Sequence, residues 1–146
     1  MTNYSTYVDW RRTFHQYPEL SDEEYETTEK LQKILKSYGI RILEVPLKTG
    51  LVAEIGQGEE MIAVRTDIDA LPIEEQVKHE FTSKYQGAMH ACGHDIHMAS
   101  ILATGIQLKE IEDELNGRVR LIFQPAEELG HGAFEIINTG VLKGAK

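Results

Sequence analysis

The chain holds one cysteine, Cys92, in 146 residues. A single thiol cannot close an internal disulfide, so a reducing, cytoplasmic compartment is expected. Long apolar runs are missing too: no stretch approaches the roughly 18 residues that span a bilayer. The opening Met1 to Tyr7 has no charged region followed by an apolar one, so no secretory leader is expected. Positive charge is scarce. The 15 Lys and Arg are outnumbered by 24 Asp and Glu, giving a net charge of −9 without any basic block. Nucleic acid or an anionic membrane needs the opposite balance, so neither is expected as a partner. Internal repeats, low-complexity segments and heptads are absent as well. What is present, 41% hydrophobic and 27% charged residues, is ordinary for a globular domain. A chain of this length can bury about 70% of its unfolded surface.

The most unusual stretch is Met89-His90-Ala91-Cys92-Gly93-His94-Asp95-Ile96-His97. It gathers the single cysteine and three of the six histidines into nine residues. Imidazole and thiolate are the ligands that borderline transition metals prefer. Asp95 stands near enough to ligate or to orient a neighbouring imidazole. Histidine and cysteine are poor choices for a solvated loop or an ordinary core strand. The alternative is a partly buried turn whose histidines satisfy backbone carbonyls. The spacing favours a metal site.

The surrounding pattern is α/β. Tyr7, Val8, Trp10, Arg11, Phe14 and His15 suggest a short amphipathic helix, ended at Tyr17-Pro18 because the residue before proline avoids helical geometry. His15 reads as a packed or capping histidine. Ser21 or Asp22 is expected to cap the next helix, with Asp22, Glu23 and Glu24 in its first turn. Leu31, Ile34, Leu35 and Tyr38 recur at helical spacing before Gly39 stops it. Strands are expected at Arg41 to Val45, Leu51 to Ile55 and Met61 to Arg65, with a further fragment near Phe81. Asp95 is expected to cap a helix running to about Ile111. Val119, Leu121 and Phe123 alternate in a following strand, and Ala133 to Asn138 form a last helix.

Two acidic sites sit where such strands end. The Met61 strand delivers Asp67 and Asp69, and the Val119 strand delivers Glu127 and Glu128 behind Pro125. Ligand-binding groups in open α/β sheets gather beyond the carboxyl ends of strands. Taken alone, adjacent glutamates are usually solvated. At a strand end both can border one cavity, one holding a metal while the other moves protons.

Four segments together resemble a known family. Arg-Thr-Asp-Ile-Asp-Ala-Leu-Pro-Ile at 65–73, Gly-Ala-Met-His-Ala-Cys-Gly-His-Asp-Ile-His at 87–97 and Ile-Phe-Gln-Pro-Ala-Glu-Glu at 122–128 are similar to motifs of the metal-dependent amidohydrolases. That family contains N-acetyldiaminopimelate deacetylase, hippurate hydrolase and the plant auxin-conjugate hydrolases. Arg-Arg-x-x-His-x-x-Pro-Glu-Leu at 11–20 looks like its usual opening. The resemblance implies a three-layer sandwich with a largely parallel mixed sheet flanked by helices. It implies hydrolysis of N-acyl amino acids at a site of two divalent ions, zinc or manganese. Cys92, His94 and Glu128 would be metal ligands and Glu127 the general base toward a metal-activated water. Asp67 would be the acid that orients a ligand, with Asp69 a weaker candidate. His90 and His97 belong to the motif without being ligands. In the wider superfamily a metal-binding histidine stands about where Arg65 is.

Members of that family are more than twice this long and carry two further histidine ligands and a lid domain. The chain is therefore expected to be the N-terminal part of a catalytic domain, without the lid or dimerisation domain and the C-terminal catalytic segment. The complete form would be a homodimer or tetramer. Two alternatives remain open. A truncated, non-catalytic metal-binding module would have the ligands without turnover. A cysteine hydrolase using Cys92 as nucleophile leaves Glu127-Glu128 and the histidine density unexplained.

Overall fold

A computed structural model describes residues 4–146, so the reading of Met1 to Tyr7 lies partly outside the described residues. Helix α1 (Tyr4–Gln16) buries Phe14 and packs Tyr7 and Trp10 on the core. Helix α2 (Tyr25–Ser37) buries Leu31 and Leu35 on one stripe. Strands β1 (Arg41–Leu43), β2 (Leu51–Gly56) and β3 (Met61–Asp67) follow. Then come α3 (His94–Glu110), a 3-10 turn at Glu112–Glu114, β4 (Arg118–Gln124) and α4 (Gly132–Asn138).

The sheet order is β1-β2-β4-β3. β1 and β2 pair antiparallel, as do β2 and β4, while β3 and β4 run parallel. The α/β class with a mixed sheet is as expected, but the parallel part narrows to one of three pairings. The connections explain it. Parallel neighbours need a long crossover, and only the segment carrying α3 supplies one, between β3 and β4.

Alternation sorts the strands' side chains to two faces. Leu51, Ala53 and Ile55 of β2 and Leu121 and Phe123 of β4 join Phe14, Leu31, Leu35, Met98, Leu102 and Ile106 in the main core under α1, α2 and α3. Val52 and Ile122 point the other way, where they meet Ile136 of α4 and Val141. Helices thus cover both faces, giving three layers. No helix among the described residues is long and apolar enough to cross a membrane.

Three local expectations are corrected. Neither Ser21 nor Asp22 caps α2; the helix begins at Tyr25, and the Glu19 carboxylate accepts the N–H groups of Glu26 (3.1 Å) and Thr27 (2.6 Å). Phe81 lies in a turn, its ring against His15 and His79 and under Arg11 and Arg12. Asp95 is not the cap of α3. Gly93, left-handed at φ 82°, precedes the helix, and the Asp95 side chain turns inward.

Candidate metal centre

The parallel pairing of β3 and β4 sets Asp67 opposite Gln124, so both strands open at the same end of the sheet. Past β3, Leu71 and Met89 exchange backbone hydrogen bonds of 3.0 and 3.1 Å. That clip brings the Met89–His97 stretch to the strand end. The helix α3 then starts with His94, while β4 runs out into Pro125-Ala126-Glu127-Glu128 from the opposite side.

His94 is the hub. Its Nδ1 donates to the Asp69 carbonyl oxygen at 2.8 Å, with an Asp69 carboxylate oxygen at 3.4 Å. A backbone acceptor on Nδ1 fixes ring orientation and turns Nε2 outward as the coordinating atom. Around Nε2 stand carboxylate oxygens of Asp67 at 3.9 Å, Glu127 at 3.9 Å and Glu128 at 4.0 Å. The ligand atoms of Cys92, His94 and Glu128 all lie within 4.8 Å of one another, and those of Asp67, His94 and His97 form an overlapping set.

All five residues expected at the site are therefore brought together, and Asp69 lies beside them. Orientation of His94 falls to Asp69, whose carbonyl holds the ring. Asp67 faces the Nε2 side and is ion-paired to Arg65. The Asp69 carboxylate also accepts the Ser21 hydroxyl (2.7 Å) and the Glu128 N–H (2.9 Å). One buried acid thus holds the backbones or rings of two candidate ligands. The alternation marked both Asp67 and Asp69, and the resemblance implied Asp67 ahead of Asp69.

The electrostatics follow. Burial disfavours charge on His94, but its hydrogen bonds to Asp69 and the Asp67 charge outweigh that and raise it to about 9. Burial would also raise Asp69, yet donors from His94, Ser21 and Glu128 bring it down to about 2. The Cys92 thiol donates to Glu128, which pushes it up to about 11. His90 is buried, and burial drives it down to about 4. Neither of its nitrogens has a hydrogen-bond partner among the described residues.

The donor set fits a divalent ion. A soft thiolate, an imidazole and a carboxylate suit zinc and its neighbours. Glu128 Oε1 is buried without a hydrogen-bond donor, and around His94 Nε2 the close polar groups are acids. The cluster is rich in acceptors, which suits a divalent ion.

Outside the centre, His15 lies buried with Nδ1 2.8 Å from Asp95 and Nε2 3.0 Å from Glu75. Arg11 Nε reaches the same Asp95 oxygen at 2.8 Å. His15 is thus a packed histidine, and it braces the first turn of α3. Nothing local in the sequence marks that link, since its partners are 60 and 80 residues away.

A parallel strand pair delivering acids to the N-terminus of a helix that carries a Cys-Gly-His step defines an α/β protein with a candidate metal centre. Residues 63–146 match the model of peptidase family M20/M25/M40. The chain belongs to that family. It is similar to an N-acetyl-L-cysteine deacetylase of Bacillus subtilis (strain 168), 54% identical over 92% of this chain and 33% of the relative. An N-acyl-L-amino acid amidohydrolase of Geobacillus stearothermophilus is 44% identical over 94% of this chain and 38% of the relative. The fold matches the crystal structure of the Bacillus subtilis YXEP protein, described as a dinuclear metal binding peptidase, with TM-score 0.94 and 50% identity over 97% of this chain and 41% of that one. The chain spans about a third of the length of the curated relatives it matches.

Proposed function

We propose that residues 1–146 are the N-terminal part of the catalytic domain of a metal-dependent amidohydrolase that cleaves the amide bond of N-acyl amino acids. One observation carries this reading: Cys92, His94 and Glu128 converge within 4.8 Å, with Glu127 beside the same imidazole. Cys92, His94 and Glu128 would hold divalent metal, zinc or manganese, and a second ion at the complete site would need further ligands. When bound, such an ion supplies Lewis acidity toward the amide carbonyl and toward water.

The remaining roles belong to side chains of this chain. Glu127 is 40% exposed, against 18% for Glu128, so its carboxylate is the one open to water and substrate. As general base, it takes a proton from the attacking water and returns it to the leaving amine. Asp69 keeps His94 in one tautomer and the Glu128 backbone in one place. Asp67, neutralised in part by Arg65, adds negative charge on the Nε2 side.

The names of the relatives support the substrate class, since both describe removal of an acyl group from an amino acid. A reducing compartment such as the cytoplasm suits the free Cys92 thiol.

Elemental analysis of freshly purified protein, beside Cys92→Ala and Glu128→Ala, tests the proposal. Zinc or manganese retained by the wild type and lost from both variants is the expected result. An unchanged metal content in the variants would sink it. On a panel of N-acetyl amino acids residues 1–146 alone are expected to turn over negligibly, and turnover near that of a full-length relative would refute the reading of this chain as part of a larger catalytic domain.

A further inference from the structure

Glu24 lies just ahead of α2 and is fully buried, yet the chemistry above does not use it. Its Oε1 accepts the Ala126 N–H at 2.8 Å, and its Oε2 accepts the Thr49 hydroxyl at 2.8 Å. Its own carbonyl accepts both the N–H and the hydroxyl of Thr28, whose Oγ1 in turn accepts the Gly50 N–H. The carboxylate is therefore held from both ends and reaches 102 residues along the chain to a single backbone amide.

That amide sits at a demanding place. Ala126 is buried and has a positive φ of 48°, a conformation that residues with a Cβ seldom adopt. It needs surrounding structure to enforce it. The enclosure is tight: a Cβ on Gly50 would lie 2.5 Å from the Phe123 oxygen, and one on Gly132 only 1.7 Å from the Pro125 oxygen. A buried N–H without an acceptor is strongly disfavoured, and Glu24 supplies the acceptor. Two residues on, Asp69 accepts the Glu128 N–H. The amides on either side of Glu127 are thus each bonded to a buried carboxylate from another part of the chain.

We propose that Glu24 is a positioning residue: by holding the Ala126 amide it fixes the Pro125-Ala126 turn that aims Glu127 and Glu128 at Cys92 and His94. This rests on the metal-centre reading above. A distant carboxylate does the job because it is acceptor-only and offers two oxygens to two donors. Glutamine keeps the shape, with one acceptor for Ala126 and an N–H that can donate to Thr49.

The test uses Zn²⁺ affinity, read by competition with a chromophoric chelator, on the intact chain. Glu24→Ala and Glu24→Asp, which is shorter by one methylene, are expected to bind about 10- to 100-fold more weakly, as lost outer partners of a metal ligand do. Glu24→Gln is expected to stay within a few-fold of wild type. Leu35→Ala, which loosens the same helix from its core side, controls for general destabilisation and is expected to bind normally. Wild-type affinity in both the alanine and aspartate variants would overturn the proposal. So would equal weakening in Leu35→Ala, or a glutamine variant as weak as alanine. Amide hydrogen exchange supplies an arm that needs no metal. Faster exchange confined to residues 126–128 in Glu24→Asp or Glu24→Ala is expected, and unchanged exchange there overturns the proposal. If the wild type binds neither zinc nor manganese, the functional reading falls by itself and the exchange result still decides the role of Glu24.

Discussion

Acidic side chains at two places on this sheet are treated in opposite ways. On the α4 face, Glu54 sits directly across from Arg41 on one neighbour strand and Arg120 on the other. Arg120 Nε donates to it at 2.9 Å, Arg41 pairs with its other oxygen, and Arg118 stands 3.7 Å away. At the carboxyl ends of β3 and β4, four acids surround one imidazole, and Arg65 reaches only Asp67. Negative charge that serves the fold is matched by guanidinium groups of the same sheet. At the strand ends the acids outnumber the guanidinium groups, and the nearest cation among them is the raised His94. Buried charges are tolerated only when compensated, and at the strand ends that compensation comes from the raised His94 and, on the proposed reading, from a bound divalent ion.

The contrast can be broken at either cluster. Glu54→Ala leaves guanidinium groups facing a partly buried, unpaired position and is expected to cost about 3–5 kcal/mol of stability in urea denaturation. Zn²⁺ affinity should be untouched. Removing a member of the other cluster reverses the outcome. Cys92→Ala is expected to weaken Zn²⁺ binding by more than about 100-fold, beyond the loss of an outer partner, with an unfolding midpoint near wild type in the metal-free protein.

Acidity sharpens the same contrast. At pH 7 both the Cys92 thiol, at about 11, and the His94 imidazolium, at about 9, carry protons. Zinc uptake should therefore release about two protons per ion, since ligands must be deprotonated; pH-stat titration in weak buffer measures this. For His94 the folded value lies above the unfolded 6.5, so its contribution to metal-free stability is complete below about 6.5 and is lost as pH rises through about 9. Melting curves at intervals across that range should show the decline, and bound zinc should abolish it. The smallest effect is expected from Arg41→Ala. Its side chain is 62% exposed and Arg120 remains on Glu54, so the cost should be under about 1 kcal/mol.

Much of this arrangement was legible in the chain. The Cys-Gly-His step, the Asp67–Asp69 alternation and Glu127-Glu128 after a proline are local patterns, and each lies at the end of an element whose periodicity is plain. What escaped is non-local. The cap of α2 comes from Glu19, seven and eight residues from the amides it accepts. Asp95 looks like a helix cap because its real partners, Arg11 and His15, are far away in sequence. Phe81 has the apolarity of a strand residue but spends it on a stacked turn. Glu24 read as a first-turn acid, and no local pattern separates that from a carboxylate buried against residue 126. The share of parallel pairing failed for a related reason: strand order depends on which connections are long enough to cross over.

The inward turn of Asp95 has a further consequence, for where the protein can be cut. The family match begins at residue 63, which invites treating everything earlier as dispensable scaffolding. Yet the helix that starts with His94 is tethered by His15 and Arg11, and the Asp69 that steadies His94 and Glu128 is itself held by Ser21. A piece excised at residue 63 would keep all the candidate ligands and lose three of the anchors behind them. The centre is indivisible from the first quarter of the chain, and any graft of it onto another protein must carry both halves.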